Sequence, residues 1–437
     1  MFSYYLALAA RSLRRNLVLT TLMIAAIGVG IGASMTSLTV LRATAADPIP
    51  AKSSLLFMPQ IDVYGPQTRY GDPHADEGLL PWLTYRDAMA FMQARRGARQ
   101  SAMYAIHIDV SPAGAKPFAV HGRAVYADFF SMFDVPFSAG NSWGAAEDGG
   151  RARVVVLGAQ LARRLFPRGD AVGNTLDLNE RHYRIVGVLA SWNPTPQFYD
   201  VTQGGYPEGE QLFIPFRTAI DREVQIDAGG MCNVAPPPGW SGHLNSECTW
   251  IEFWVELPSA AMVRDYRQFL HGYAAEQQRL GRFHWPALVQ LPDVKQWLVW
   301  AHVIPDEVRV STWVACGFLL VCLINVVALM LARFTGHAEE LGVRRAMGAA
   351  RSDIFFQCLV ETAVVGVVGG LLGLALTALG LAADRAIVEA ELGRLAHLDE
   401  GAITITLLLA VGVTLASGLY PTWRASRVLP ALQLKVQ

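Results

Sequence analysis

The stretch EELGVRRAMGAARSDIFFQCLVETAVVGVVGGLLG, residues 339–373, begins as a charged helical segment and continues as a long apolar one. Glu340 lies four residues before Arg344, the order that favours an ion pair on one helix face. Gly348 can end this first helix, because glycine adopts the left-handed conformation at little cost. The Ser-Asp pair at 352–353 can cap a second helix. This pattern is typical of a short surface helix joined to a membrane helix, although an ordinary solvated helix between two spans also fits it.

The same stretch resembles the signature of FtsX/MacB-type permeases, the membrane subunits of type VII ABC transporters. The residues that carry the resemblance are Glu340, Gly342, Arg344, Gly348, Ala349, Asp353, Gln357, Glu361, Gly369, Gly370 and Gly373. In that family the short helix is a coupling helix that docks onto an ATPase subunit. The resemblance therefore implies ATPase contact through Glu340, Leu341, Gly342, Val343, Arg344, Arg345, Ala346, Met347, Gly348 and Ala349.

Composition also indicates a membrane protein. Of the 437 residues, 52% are hydrophobic and 17% are charged, which is apolar for a chain of this length. The formal net charge is −1, and this argues against a nucleic-acid partner, since nucleic-acid-binding domains are usually clearly basic.

Four apolar runs predict membrane spans at 17–42, 309–333, 354–383 and 402–423, because a bilayer needs about 20 apolar residues. A secretory signal peptide is the alternative for the first run, since Ala-Thr-Ala at 43–45 resembles a cleavage site. Its apolar core exceeds the about 7–15 residues of such peptides, which favours a retained span. The residues before it, 1–16, predict an amphipathic helix at the membrane interface.

Small and polar residues within the spans predict close helix packing. These residues are Gly28, Gly32, Asn325, Gly366, Gly369, Gly370 and Gly373. Glu361 lies near the predicted cytoplasmic end of the third span. A structural acid at a helix interface is favoured there over a group that binds a transported ion.

The distribution of basic residues predicts the orientation, since short cytoplasmic loops carry an excess of Lys and Arg. The relevant residues are Arg11, Arg14, Arg15, Arg333, Arg344, Arg345, Arg351, Arg424, Arg427 and Lys435. They place both termini, the coupling segment 334–353 and the tail 424–437 in the cytoplasm. The loop 384–401 and the large segment 43–308 are then periplasmic, and the protein resides in the bacterial inner membrane in contact with its lipids.

The segment 43–308 predicts a folded α+β domain between spans one and two. Helices are expected at 80–93, 159–165 and 264–280, and strands at 105–110, 118–125, 153–158, 174–178 and 182–189. The segment resembles the MacB-type periplasmic core domain through Phe129, Phe130, Leu157, Gly158, Ala162, Leu165, Phe166, Gly173, Val186, Gly187 and Val188. That resemblance implies a porter-like module into which a second module is inserted.

A glycine- and proline-rich region at 192–250 departs from the expected family pattern and contains Cys232 and Cys248. A disulfide between them is plausible outside the cytoplasm, and two unpaired thiols are the alternative. The strand-like run TWIEFWVEL predicts core positions for Trp250, Phe253 and Trp254. The role of Trp240 stays open between core and a binding surface.

Sequence motifs for catalysis or metal binding are not found. The chain has no phosphate-binding G-x-x-x-x-G-K-[ST] loop, no H-E-x-x-H and no C-x-x-C, and its ten histidines are scattered. A G-x-S-x-G string surrounds Ser142, but a turn before it and a polar run after it indicate a chance match. We therefore expect no catalytic residues, no metal site and no cofactor on this chain. ATP and Mg²⁺ would bind to a separate ATPase, since the N-terminus leaves no room for the fused ATPase of MacB-type proteins.

The favoured function is a permease subunit that uses ATP hydrolysis by its partner for export of a drug, peptide or other metabolite. Four spans are too few to surround a path, so a second permease copy is expected, either identical or a diverged sister. A periplasmic adaptor and an outer-membrane channel fit the same system. A lipoprotein-releasing permease and a signalling FtsX-like protein are the alternatives.

Overall fold

In the computed structural model, the chain divides into two units, whose boundaries lie after Ala45 and after Val303. The α+β unit is Ala46–Val303, and the membrane unit combines Met1–Ala45 with Ile304–Gln437. The structure describes residues 2–62, 79–112, 114, 116–167, 169–201, 209–284, 288–303, 306–336, 343, 347–348, 350–387, 404, 408, 411–412, 414–416 and 418–423.

The helices that lie within these residues follow in chain order. They are α1 (Phe2–Arg15), α2 (Leu17–Thr44), α3 (Tyr85–Ala94), α4 (Asp128–Met132), α5 (Ala145–Gly150), α6 (Ala159–Leu165), α7 (Phe216–Asp221), α8 (Trp240–Leu244), α9 (Ala260–Arg279), α10 (Val294–Trp300), α11 (Asp306–Gly336) and α12 (Arg351–Ile387).

The strands all belong to the α+β unit. They are β1 (Leu56–Phe57), β2 (Gln60–Ile61), β3 (Leu83–Thr84), β4 (Arg99–Ser111), β5 (Phe118–Val125), β6 (Phe137–Gly140), β7 (Val154–Leu157), β8 (Thr175–Leu178), β9 (Arg181–Leu189), β10 (Leu212–Pro215), β11 (Thr249–Glu256) and β12 (Val289–Gln290).

Ten of these strands form one mixed sheet in the order β1-β11-β4-β5-β10-β7-β9-β6, with β3 beside β11 and β8 beside β4 and β9. Adjacent residues of a strand point to opposite faces. Phe253 and Trp254 of β11 accordingly enter two different hydrophobic cores. One core includes Phe91 of α3 and Leu270 of α9, and the other includes Trp297 of α10. The predicted α+β class is confirmed, as are the core positions in β11.

Three described helices are long and apolar enough to cross a membrane: Leu17–Arg42, Asp306–Gly336 and Arg351–Ala383. They contain the first three predicted spans, and α11 extends three residues beyond the predicted range at each end. The fourth predicted span, 402–423, lies largely outside the described residues, and the positions described there are helical. The count of four spans therefore stays a prediction.

The first helix of the α+β unit begins later than its sequence predicts. Leu83 and Thr84 pair with β11, and α3 begins only at Tyr85. Thr84 caps α3, because its side chain accepts a hydrogen bond from the Asp87 N–H. The apolar residues before this cap satisfied helical spacing, but the cap sets the true start of the helix.

One sheet runs through the α+β unit, and its division into the two modules that the family resemblance implies stays a prediction. β10 pairs with β5 on one side and with β7 on the other, so its backbone joins the two halves of one continuous sheet. The sequence indicated a turn before Ser142 and a polar run after it, and this local prediction was wrong. Strand β6 precedes Ser142, and helix α5 follows it. In the described part of the chain, however, no hydrogen bond joins Ser142 to a histidine.

Candidate functional site

The predicted coupling helix lies mostly outside the described residues. This applies to Glu340, Leu341, Gly342, Arg344, Arg345, Ala346 and Ala349. Of the rest, the Met347 N–H donates to the Val343 carbonyl oxygen at 3.0 Å, the spacing of one helical turn. Gly348 follows with a φ of +102°, the left-handed conformation that ends a helix. The Val343 and Met347 side chains are both exposed, so this turn presents an apolar face.

Two residues beyond Gly348, the next helix begins with a side-chain cap. A carboxylate oxygen of Asp353 accepts a hydrogen bond from the Ala350 N–H at 3.1 Å, just before α12 starts at Arg351. The carboxylate also lies in the first turn of the helix, where the helix dipole favours negative charge. The predicted coupling segment is therefore connected to α12 by a short, hydrogen-bonded junction.

A buried polar network joins all four described long helices of the membrane unit. Arg333 of α11 forms an ion pair with Glu361 of α12, and both side chains are buried. Ser12 of α1 donates to Glu361 Oε1 at 2.6 Å and accepts from Arg333 Nη2 at 3.1 Å. Arg333 Nη1 also donates to Thr20 Oγ1 of α2 at 3.3 Å. Each charge thus has a partner of opposite sign and a hydroxyl partner.

Along the chain, the ion pair of this polar network lies close to both ends of the coupling segment. Arg333 lies three residues before the end of α11 at Gly336, and Glu361 lies ten residues after the start of α12. The segment 337–350 therefore begins and ends on the two helices that the ion pair connects. Glu361 is therefore an ion-paired acid at a contact between helices.

Glycines form the contact between α2 and α12. Those with close neighbours at this contact are Gly28, Gly32, Gly369, Gly373 and Gly380. A Cβ atom added at Gly28 would lie 2.7 Å from Leu372, and one added at Gly369 would lie 2.7 Å from Ile27. Real Cβ atoms do not approach other atoms this closely, so the two helices pack at a distance that requires glycine.

The remaining packing residues have different surroundings. A Cβ at Gly366 would lie 2.8 Å from Thr414, a described residue of the predicted fourth span, and Gly370 is buried on α12. Asn325 is exposed on α11, on the face that also carries exposed Val314, Phe318 and Val321. The structure therefore does not bring Asn325 to a helix contact within the described chain.

In the α+β unit, a disulfide closes the glycine-rich loop between Cys232 and Cys248. Trp240, within this loop, donates from Nε1 to the Ile220 carbonyl oxygen at 2.9 Å and packs against Trp250. Trp240 thus attaches the loop to the domain core. Of the two roles that the sequence left open for Trp240, core residue or binding surface, these contacts support the core.

A second buried ionic cluster lies in the centre of the sheet, and no sequence motif indicates it. Arg123 of β5 is 1% exposed and contacts three carboxylates. Its Nε donates to Glu210 Oε1 at 2.7 Å, its Nη1 donates to Glu252 Oε2 at 3.2 Å, and its Nη2 contacts Asp200. Burial raises the pKa of Glu252 well above its ordinary value and also raises that of Glu210. One guanidinium therefore faces three carboxyl groups, which together carry more negative charge than it can neutralise.

Comparison with known proteins links both units to one group of transporters. A model of the MacB-like periplasmic core domain matches residues 20–262, and a model of the FtsX-like permease C-terminal region matches residues 313–430. The macrolide export ATP-binding/permease protein MacB of Escherichia coli strain K12 is 26% identical over 379 residues. The protein of the same name from Escherichia coli O6:K15:H31 strain 536 has the same identity.

These alignments cover 86% of this chain and 52% of each relative, so the chain spans about half the length of the curated relatives it matches. A crystal structure of the periplasmic region of MacB from Actinobacillus actinomycetemcomitans aligns with a TM-score of 0.36 at 13% identity. That alignment covers 57% of this chain and 94% of the other.

Proposed function

Because the chain belongs to the FtsX/MacB-type family of ABC transporter permeases, we propose that it transmits the work of ATP hydrolysis from an ABC ATPase partner to its α+β domain outside the inner membrane. The output would be export of a substrate. The names of the E. coli relatives support this role, since they describe macrolide export by those proteins.

The observation that carries the proposal is the buried network of Arg333, Glu361, Ser12 and Thr20. A push on the coupling segment would reach α11 and α12 together, because their ion pair resists separation. Leaving either charge unpaired in this buried site would cost several kcal/mol, about 3–5 in comparable cases. The same network contacts α1 and α2, so the four helices would move as one body.

The exposed turn at Val343 and Met347 supports ATPase docking at the same place. The basic residues around it favour a cytoplasmic location, and this puts the α+β domain on the opposite side of the membrane. The proposed assembly contains two permease copies, either identical or sisters, together with the ATPase. A periplasmic adaptor and an outer-membrane channel would complete it.

Charge reversal in the coupling segment tests the proposal. Arg344→Glu combined with Arg345→Glu should abolish substrate-dependent stimulation of the ATPase that co-purifies with the chain, because the docking surface would change from basic to acidic. The measurement is the ATP hydrolysis rate of the assembled complex in detergent, with and without added substrate extract.

The matched control reverses two exposed arginines of the α+β unit, Arg163→Glu with Arg181→Glu, and should retain stimulation. If the double variant at 344 and 345 is stimulated as strongly as this control, the docking role of the segment is refuted.

A further inference from the structure

Two histidines that are distant in sequence meet an aspartate on the surface of the α+β unit. His107 of β4 and His121 of β5 are direct cross-strand partners in the antiparallel pair. Their rings lie 5.2 Å apart between centroids and are nearly perpendicular, with an interplanar angle of 78°. Asp227 contacts both: Oδ2 is 2.5 Å from His121 Nδ1, and Oδ1 is 3.6 Å from His107 Nδ1.

The backbone holds these three residues in place. The Asp227 N–H donates to the Ala105 carbonyl oxygen at 3.0 Å, and the preceding residue, Ile226, forms a β-bridge with Ile106. Asp227 is thereby fixed beside β4. The N–H and carbonyl groups of His121 both bond to Gln211, at 3.1 and 3.2 Å. The three side chains therefore converge through sheet pairing.

Burial and charge suit this group of side chains to a cation. His107 is 46% exposed and His121 is 68% exposed, so both imidazoles can rotate and can be reached from solvent. The Asp227 carboxylate is 17% exposed and supplies the negative charge. One nitrogen or oxygen atom from each residue lies within 4.8 Å of the others. Tetrahedral zinc coordination would bring these atoms to about 3.3 Å from one another, a change that small side-chain rotations can make.

We propose that His107, His121 and Asp227 form a binding site for a divalent transition-metal ion of the Zn²⁺ class. Imidazole nitrogen and carboxylate oxygen are both common zinc ligands. Two histidines favour Zn²⁺, Cu²⁺ or Ni²⁺ over Ca²⁺ and Mg²⁺, which prefer oxygen ligands. With three protein ligands on an exposed surface, the fourth position is open to water or to a ligand atom from another molecule. The proposed site is independent of the transport role.

Zinc competition measures the proposal directly. The full-length chain, purified in detergent without a histidine tag, competes with a chromophoric chelator for Zn²⁺. We expect the wild-type chain to bind one Zn²⁺. His107→Gln, His121→Gln and Asp227→Asn should each bind it at least about tenfold more weakly. Cobalt(II) should give the visible absorption of a low-symmetry N/O site in the wild type and not in these variants.

The matched control is His182→Gln. His182 is another exposed histidine beside an aspartate, with Nδ1 3.7 Å from Asp177 Oδ2, and it does not belong to the three-residue cluster. This variant should bind Zn²⁺ as tightly as the wild type. Tryptophan fluorescence during zinc-free thermal unfolding should be the same in the three histidine variants, because the substituted histidines are exposed. The proposal is overturned if the wild type takes up no Zn²⁺, or if the three variants bind it as well as His182→Gln does.

Discussion

At the residue scale, Arg333 and Glu361 place two opposite charges in a buried part of the membrane unit. Arg333→Met would leave the Glu361 carboxylate uncompensated and should destabilise the protein by about 3–5 kcal/mol. Adding Glu361→Leu to this variant should restore much of the stability, since a well-packed apolar pair avoids the cost of burying charge. Thermal unfolding of the detergent-solubilised chain measures both effects.

Measuring ATPase stimulation separates the effect of these variants on folding stability from their effect on the transmission of movement between α11 and α12. The double variant should stay uncoupled in the assembled complex even where its stability has recovered, because the ionic connection between α11 and α12 is absent. A single Arg333→Met variant that unfolds at the wild-type temperature would show that the ion pair contributes little.

Glu252 provides a test of pH dependence in the α+β unit. Because the pKa of Glu252 is higher in the folded state than in the unfolded state, proton binding by Glu252 stabilises the folded protein. This stabilisation is complete below the unfolded-state pKa and is lost as pH rises through the folded-state pKa. Glu252→Gln has no proton to lose and places an amide beside Arg123. The variant should therefore unfold at a higher temperature than the wild type near neutral pH, by roughly 2–4 °C for each kcal/mol recovered.

The difference in unfolding temperature between Glu252→Gln and the wild type should shrink toward about pH 3, which is below the pKa of about 4.3 for an unfolded glutamate, so that Glu252 is protonated in both the folded and unfolded states. Asp148, whose pKa burial raises to about 6, contributes with the same sign but equally in both proteins. Thermal unfolding across this pH range supplies the comparison. A lower unfolding temperature for the variant at neutral pH would mean that Glu252 is ionised and stabilising.

The role of a single residue can be predicted from the sequence when it depends only on near neighbours in the chain. Gly348 and Asp353 could be assigned to helix ends because the residue type and a spacing of a few positions suffice. Arg123 could not be linked to its three carboxylates, since Asp200, Glu210 and Glu252 lie 77, 87 and 129 positions from it in the sequence. Glu252 carried a weak signal, as a lone acid inside the apolar run TWIEFWV.

The histidine cluster was not predicted for the same reason, because its residues are distant in the sequence. His107 and His121 looked scattered, and the sequence analysis expected no metal site. Their approach depends on the register of β4 against β5, which sets His107 opposite His121. Both strands were predicted, so a count of residues from the connecting turn could have paired the two histidines. Asp227 carried no local signal, because a β-bridge outside the named strands positions it.

At the element scale, the glycine contact between α2 and α12 determines how closely these helices approach. Gly369→Leu should force them apart, because a Cβ alone would already overlap Ile27. Overpacking of this kind typically costs about 1–3 kcal/mol. The measurement is the thermal unfolding temperature of the solubilised chain.

The control for Gly369→Leu is Gly317→Leu on α11. An added Cβ at Gly317 meets nothing within 4 Å, so this variant should unfold at nearly the wild-type temperature. Equal unfolding temperatures for both variants would contradict the described α2–α12 contact.

The bounds of two elements were predicted correctly. The helix at 159–165 coincides with α6, and the strand at 118–125 coincides with β5. The predicted helix at 80–93 failed at its start, because pairing with β11 extends the chain at Leu83 and Thr84. A contact made across the sheet can override helical spacing, and spacing alone does not reveal it.

At the scale of the whole molecule, the two units follow the change in composition along the chain. The predicted domain 43–308 corresponds to the α+β unit Ala46–Val303, since charges and prolines return where the first span ends. The single continuous sheet was not predicted. It depends on the parallel pairing of β10 with β5, whose residues are separated by about 90 positions in the sequence.

In the proposed mechanism, the coupling segment and the α+β domain lie on opposite sides of the inner membrane. Its most direct test is cysteine accessibility in a Cys316→Ser background, which removes an exposed free thiol. Met347→Cys reports on the coupling segment and His182→Cys on the α+β domain, and both positions are exposed. A membrane-impermeant maleimide is applied to spheroplasts before and after the inner membrane is disrupted. The cysteine at 182 should be labelled at once and the cysteine at 347 only after disruption. Equal labelling of both in intact spheroplasts would show that the two positions lie on the same side of the membrane.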